Sequence, residues 1–391
     1  MTGPPVQPIV DLDHAATTRV RPAVREAMAP FLDERYGNPS GSHRLAREAV
    51  RAVDEARERV AAALGCAPAE VVFTSGGTES DNHAISGGMP PRPGVPVCTA
   101  VEHHAVLDPV RALDGVVVAV DRSGRVDLDA LGAALEGAGG HVSVVSVMLA
   151  NNETGVITDL DAVAAVVRAH EPEVPRVPLH TDAVQAAAWL DLADHAAAAD
   201  LVSVSGHKLG GPKGIGALIV RQHTPIRPLV MGGGQEHGRR SGTSNVVGIV
   251  GLAAALDATV ADRVATNERI AALRDRLVEG LLATVTGTVE TAVLDGDRSA
   301  VLPGICHLCI EGVDAESLLF LLEAEGVAAS AASSCASGAQ QSSHVLEAMG
   351  VDPLVARGSL RLSLGWDSTA ADVDAALAAV PRAVERVRAF G

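Results

Sequence analysis

The sequence predicts an α/β protein, with a large domain on a mostly parallel sheet and a smaller α+β domain after it. Three observations carry that prediction. Short runs of branched apolar residues alternate with longer stretches of helical spacing. Several of the apolar runs end in a polar or glycine-rich cluster, the place where an α/β sheet keeps its ligands. From about residue 262 the alternation gives way to a long helical segment, one strand and a loop of small residues.

In chain order, Arg44 to Leu64 has helical spacing. Val71 to Thr74 reads as a strand running into Ser75-Gly76-Gly77-Thr78, with a helix starting near Glu79. Val142 to Leu149 reads as a buried strand ending in Asn-Asn-Glu-Thr-Gly, and Asp161 to His170 as a helix. Val177 to His180 is a short strand ending at Thr181-Asp182, and Leu201 to Ser205 is another ending at Gly206-His207-Lys208. Beyond these come a helical stretch from Asn267 to Leu282, a strand from Gly304 to Glu311 and a helix from Ala315 to Glu325. The small-residue loop SAASSCASGAQQSS, the run Arg361-Leu-Ser-Leu-Gly and a closing helix complete the chain. The expected division is residues 15–261 for the large domain, with 1–14 and 262–391 forming the small one.

Composition limits what such a protein does. The chain has 391 residues, of which 47% are hydrophobic and 20% charged, enough for a sizeable core and unlike a disordered chain. A net charge of −17 argues against nucleic acid or an anionic membrane as a direct partner, and 2% aromatics leave few platforms for stacking bases. The N-terminus lacks the basic start and apolar core of a signal peptide, and no run of about 18 apolar residues suggests a membrane span. Five scattered cysteines, Cys66, Cys98, Cys306, Cys309 and Cys335, do not make a disulfide framework, so a cytoplasmic protein is expected.

Of the 31 basic residues, only Lys208 and Lys213 are lysine, and both lie in SGHKLGGPKG. Arginine keeps its proton and cannot act as an amine nucleophile, whereas lysine can. Lys208 follows a strand and a glycine, beside Ser205 and His207. An uncharged amine there could form a Schiff base with a carbonyl cofactor, and pyridoxal phosphate needs a lysine, a phosphate cradle and an acid opposite its ring nitrogen. Asp182 is either that acid or a helix N-cap, and Gln185 is either a capping-box partner or a ligand to the ring hydroxyl. Ser75-Gly76-Gly77-Thr78 is a glycine turn feeding a helix N-terminus, which favours an anion, and Gly242-Thr243 is a second Gly-Thr pair. His103 and His104 are either a polar surface tip or include a ring that lies on the cofactor and passes protons. Cys306 and Cys309 have apolar neighbours, and residues three apart on a strand face opposite sides, so no metal site is read from them. Cys335 has only small and polar neighbours and is the better candidate for a thiolate nucleophile. Arg361 either holds a substrate carboxylate or makes an ordinary ion pair.

From about Leu12 to Asp367 the sequence resembles the cysteine desulfurases, the NifS/IscS-like branch of the class V aminotransferases. The resemblance rests on LDHAATT, YGNPSGSH, FTSGGTESDN, EHHAVLD, NNETGV, HTDAVQ, SGHKLGGPKGIGALIV, GGGQEHGRRSGT, SSCASG and RLSLG. It implies the type I fold of pyridoxal-phosphate enzymes (aspartate aminotransferase-like) and residue roles by motif. Lys208 would hold pyridoxal 5'-phosphate, Asp182 would pair with the pyridinium and His103 would stack on the ring. Asn152 and Gln185 would contact the ring hydroxyl side. Gly77, Thr78, Ser205 and His207 would hold the phosphate, with Thr243 reaching that of a neighbouring subunit in a homodimer. Asn152 and Arg361 would orient the carboxylate of L-cysteine. Cys335 would take the sulfur as a persulfide, release L-alanine and pass the sulfur to an acceptor protein for iron–sulfur cluster, thio-cofactor or tRNA biosynthesis. A selenocysteine lyase or another class V aminotransferase is the alternative on the same fold. The departures are His14, where many relatives have Asn, the short, proline-rich stretch 84–98 and a short loop near Asp114-Gly115.

Overall fold

Most strands of the main sheet are buried along their whole length, the pattern of a sheet covered on both faces. The computed structural model describes residues 9–87, 94–139, 141–170, 176–293, 296–331 and 343–390. After a two-residue strand, β1 (Val10–Asp11), come β2 (Val71–Thr74), β3 (Val95–Thr99), β4 (Val116–Val118), β5 (Val142–Ser146), β6 (Leu179–Asp182), β7 (Leu201–Ser205) and β8 (Gly216–Val220). Strands β2 to β8 form one sheet in the order β2-β8-β7-β6-β5-β3-β4. Pairing from β4 through to β7 is parallel, and only β8 runs against its neighbours β2 and β7. Every residue of β5, β7 and β8 is buried. The carboxyl ends of β2, β3, β5, β6 and β7 therefore share one edge, and every polar cluster noted in the sequence leaves from it.

Two boundaries move for local reasons. Strand β6 starts at Leu179 rather than Val177, because Pro178 has no N–H for the ladder and contributes only its carbonyl, to Val145 N–H at 2.9 Å. The helix after the glycine turn starts at Gly77. It is preceded by Gly76 at φ 156°, a conformation that a side chain would resist.

The helix expected from Asn267 begins instead at Val246 and runs unbroken to Thr284, with the Asn245 side chain accepting from Gly248 N–H at 3.0 Å as its N-cap. Its first turns, VVGIVGLAAAL, carry no polar stripe because they are buried all round. They pack against the helices Pro22–Leu32 and Arg44–Ala63, whereas the later turns carry Leu277, Val278 and Leu281 toward the closing helix Ala370–Phe390. The division expected at residue 261 falls inside this helix.

The second unit contains β9 (Thr288–Glu290), β10 (Ile305–Ile310), β11 (Val327–Ala328) and β12 (Ser359–Ser363). Strand β10 pairs antiparallel with both β9 and β12, and β1 pairs in parallel with β11. Cys306 lies in the main core, while Cys309 packs with Val345, Leu346 and Met349, so the two thiols face opposite sides of β10. The chain N-terminal to the first helix links both units. Leu12 C=O accepts from Ser363 N–H at 2.7 Å, and Thr18 N–H donates to His207 C=O at 2.9 Å. This segment thus passes directly over the turn that carries Lys208. No described helix is long and apolar enough to cross a membrane.

Candidate active site

The carboxyl edge of the main sheet opens into a cavity of about 340 Å³. Gly77, Thr78, His103, Asn152, Asp182, Gln185, Ser205, His207, Lys208 and Arg361 all line it. These are the sequence-selected cofactor and substrate residues with two exceptions. Thr243 is exposed and lines neither this cavity nor its neighbour, and Cys335 lies outside the described residues. Ser330, one residue before the last described one on the N-terminal side of the Cys335 loop, lines the cavity.

Lys208 sits in a single turn, Gly206–Lys208, directly after β7. Its Nζ donates to the carbonyls of Ala15 at 2.5 Å and Ala16 at 2.7 Å. The amine is thus held by backbone oxygens from the crossing N-terminal segment, which the sequence reading did not single out. Gln185 Nε2 donates to the same Ala15 carbonyl at 2.7 Å. That contact corrects the capping-box alternative, because the side chain reaches across to the N-terminal segment and caps nothing. The helix N-cap alternative for Asp182 is not realised, because the short turn that follows has Gln185 at its N-cap position. Asp182 Oδ1 accepts from Val184 N–H at 2.8 Å, which shapes the turn after β6, and its carboxyl lines the cavity. Burial raises its pKa, and the nearby His103 and Lys208 oppose the rise.

His103 ends the turn after β3 and caps the helix His104–Ala112, its Nδ1 accepting from Ala105 N–H at 3.0 Å. With Nδ1 as acceptor, the neutral ring carries its proton on Nε2. Burial lowers its pKa, so the ring is neutral at pH 7. His104 is set apart from the cavity, with its ring centroid 4.8 Å from that of His344 and its Nδ1 3.2 Å from Asp108.

At the β2 end a second cavity of about 370 Å³ shares Gly77, Thr78, Ser205 and His207 with the first. It is lined as well by Ser75, Gly76 and Lys213, so both lysines of the chain face the site. The N-terminal turn of the ten-residue helix Gly77–Ser86 lies here. A Cβ on Gly77 would lie 2.7 Å from Val184, so only glycine fits this turn. The Ser205 hydroxyl is buried without a hydrogen-bond partner among the described residues. Burial first, then Lys208 and Lys213, push the His207 pKa down to about 4. An unpartnered hydroxyl, backbone N–H groups and a lysine make a cradle suited to a phosphate. A buried carboxylate on β6 and an amine on the next turn suit the rest of pyridoxal phosphate, so the donor set fits that group.

On the substrate side, Arg361 of β12 is buried. It donates through Nη2 to Asp13 Oδ1 at 2.7 Å and through Nη1 to the Asn152 carbonyl at 2.9 Å, while its Nε has no hydrogen-bond partner among the described residues. The ion-pair reading of Arg361 is therefore realised, with Asp13 as the partner, and the same guanidinium faces the cavity.

The aminotransferase class-V family model matches residues 10–376. An IscS-like cysteine desulfurase of Mycobacterium tuberculosis is 45% identical over 391 residues, covering 96% of each chain. The cysteine desulfurase IscS of Dictyoglomus turgidum is 39% identical over 97% of this chain and 95% of its own. Among solved structures, a NifS-like protein superposes with a TM-score of 0.86 at 34% identity, covering 97% of this chain and all of that one, or 100%.

Proposed function

The chain belongs to the class V aminotransferases and, within them, to the cysteine desulfurases, and on that premise we propose the working of this site and its partners. The reaction converts L-cysteine and an enzyme thiol into L-alanine and an enzyme persulfide. One C–S bond breaks and one S–S bond forms, so the thiol sulfur is oxidised while the substrate carbon is reduced, and no outside oxidant is needed. Enzymes of this family use pyridoxal phosphate and pass the sulfur to acceptor proteins.

Pyridoxal phosphate, when bound, supplies an aldehyde that captures amines and a pyridinium that draws electrons from the substrate α-carbon. Lys208 Nζ is the amine assigned to hold it, and once free that same nitrogen takes and returns the proton at the α-carbon. Asp182 keeps the ring nitrogen protonated by offering it a buried carboxylate. His103, neutral with its proton on Nε2, stacks on the ring and donates or accepts at that atom. Asn152 and Gln185 hold the ring-hydroxyl side. Gly77, Thr78, Ser205, His207 and Lys213 hold the phosphate, and Thr243 of a second copy completes the cradle in a homodimer. Arg361 Nε and the Asn152 side chain orient the substrate carboxylate. Cys335 is assigned as the thiol that attacks the substrate sulfur and carries it to the acceptor.

The observation that carries this reading is that Lys208, Asp182, His103 and the Ser205 cradle line one cavity whose rim includes Ser330, five positions before Cys335. A thiol that must stay reduced between turnovers suits the cytoplasm, where we place the enzyme. The acceptor is assigned as a scaffold or thiolation protein for iron–sulfur, thio-cofactor or tRNA biosynthesis. Replacing Cys335 by Ala tests the assignment. The variant should keep the cofactor's visible absorbance and lose both alanine formation and protein-bound sulfur. Normal alanine formation by that variant would refute the role of Cys335.

A further inference from the structure

Three carboxyl groups, not one, stand under the cavity. Asp81, on the helix that leaves the phosphate turn, is 1% exposed, Glu102, just before His103, is 0% exposed, and Asp182 is 6% exposed. Asp81 and Asp182 both line the cavity. Three buried anions would need several compensating cations, because an unpaired buried charge is costly enough that the group takes up a proton instead.

The charges and hydrogen bonds available decide which group stays ionised. Asp182 faces Lys208 and His103 and accepts the Val184 N–H. Glu102 Oε1 accepts from the Thr99 hydroxyl at 2.7 Å and Met148 N–H at 2.9 Å, but Oε2 has no hydrogen-bond partner among the described residues. Asp81 Oδ1 has no hydrogen-bond partner among the described residues either, and the basic group within ion-pair reach of it there is His180 Nε2, 3.6 Å away. That imidazole cannot serve as a counter-cation. It is fully buried, its Nδ1 and Nε2 are hydrogen-bonded to the hydroxyls of Ser146 at 2.8 Å and Ser203 at 3.0 Å, and burial pushes its pKa down to about 3. Asp81 is thus tied to a neutral chain, Ser203–His180–Ser146, which spans β7, β6 and β5 directly beneath Asp182. Burial first, then the proximity of Asp182 and Glu102, favour the protonated form of Asp81 and outweigh the opposing hydrogen bond from Ser203.

We propose that Asp81 is a positioning residue that stands in the pocket floor as an un-ionised acid, leaving Asp182 to carry the floor's carboxylate charge. A second anion beside Asp182 would drive Asp182 to take the proton itself, and the ring nitrogen would lose its ionic partner. Asp81 therefore acts through Asp182, and its value lies in being a hydrogen-bonding group without charge. The consequence for the cofactor rests on the pyridoxal-phosphate reading above, but the protonation state of Asp81 does not.

Infrared difference spectroscopy of the full-length protein as purified, at pH 7, reads that state directly. The wild type should show a buried protonated-carboxyl stretch that Asp81→Asn removes. If Asp81→Asn removes no such signal, or if it is removed by Glu102→Gln alone, the proposal is wrong. A second readout is the affinity of the stripped chain for pyridoxal 5'-phosphate. Asp81→Asn, a neutral isostere, should bind within about threefold of wild type, while Asp81→Leu, which removes the polar group beside Ser203 and His180, should bind roughly tenfold or more weakly. An Asn variant as weak as the Leu variant would mean that the ionised charge is required and would overturn the proposal. If Asp81→Leu does not fold, the infrared comparison still decides. If no variant binds pyridoxal phosphate, the cofactor reading fails while the infrared result for Asp81 stands.

Discussion

The floor and the rim of the cavity solve opposite problems. In the floor, Asp81, Glu102, Asp182 and His180 are buried among one another, with few charges to balance them, so protonation state is what the site controls there. At the rim the polar groups are paired. Arg361 bridges Asp13 and the Asn152 carbonyl, both of which line the cavity with it, and next to Asn152 the Glu153 carboxylate accepts from the Ser343 hydroxyl. These pairs fix where side chains stand and which strands meet across the two units. The difference teaches that mutations in the floor should act through proton affinity and bound-cofactor electronics, whereas mutations at the rim should act through substrate placement.

The floor side should show the largest effect. Lys208→Ala removes the only amine placed beside Asp182 and should lower alanine formation by roughly 1000-fold or more, with loss of the aldehyde-linked visible band. Residual turnover near wild type would break the assignment. Asp182→Asn keeps the shape and the Val184 contact but removes the charge, and should lower kcat roughly 100-fold while the protein still binds pyridoxal phosphate. A change confined to KM would move Asp182 from the floor class to the rim class.

The rim effect is smaller and of a different kind. Arg361→Lys cannot span Asp13 and the Asn152 carbonyl together, and should raise the KM for L-cysteine about tenfold with a lesser change in kcat. Equal losses in kcat and kcat/KM would erase the contrast between the two regions.

A last effect concerns stability alone. Burial raises the Glu102 pKa from 4.5 to about 8. The folded chain therefore holds a proton there that the unfolded chain releases above its lower pKa. The resulting stabilisation is complete below about pH 4.5, declines as pH rises and is gone above about pH 8. Glu102→Gln does not titrate, so its stability relative to wild type should improve from pH 5 to pH 8, by on the order of a few kcal/mol. Denaturant unfolding at the two pH values checks this, and a constant difference would contradict the neutral-acid picture of the floor.

Much of the site was legible in the sequence because strand ends carry chemically distinctive side chains. A lysine in an arginine-rich chain, an Asp at the end of β6 and a Gly-Gly turn each announce a reaction component by residue type. The groups that place them were harder to see. The partners of Lys208 are main-chain carbonyls of two alanines more than 190 positions earlier, and no side-chain pattern marks a backbone acceptor. Asp81 and Glu102 look like ordinary solvated acids until the sheet and its helices bury them. The alternation of strand and helix predicted the main sheet, but the first turns of the helix from Val246 lack an amphipathic period and so escaped detection. Gln185 sits at capping-box spacing from Asp182, and only the fold shows its amide turned to the Ala15 carbonyl. Thr243 is exposed and stands apart from the cavity, so the single chain places it with none of the other chosen residues.

The most direct test of the account is the intact mass of the protein after brief exposure to L-cysteine, with alanine measured in the same tube. The predicted result is one added sulfur on the peptide carrying Cys335, together with L-alanine, and neither product from the Lys208→Ala protein. Alanine without protein-bound sulfur, or added sulfur on a peptide other than that of Cys335, would contradict it.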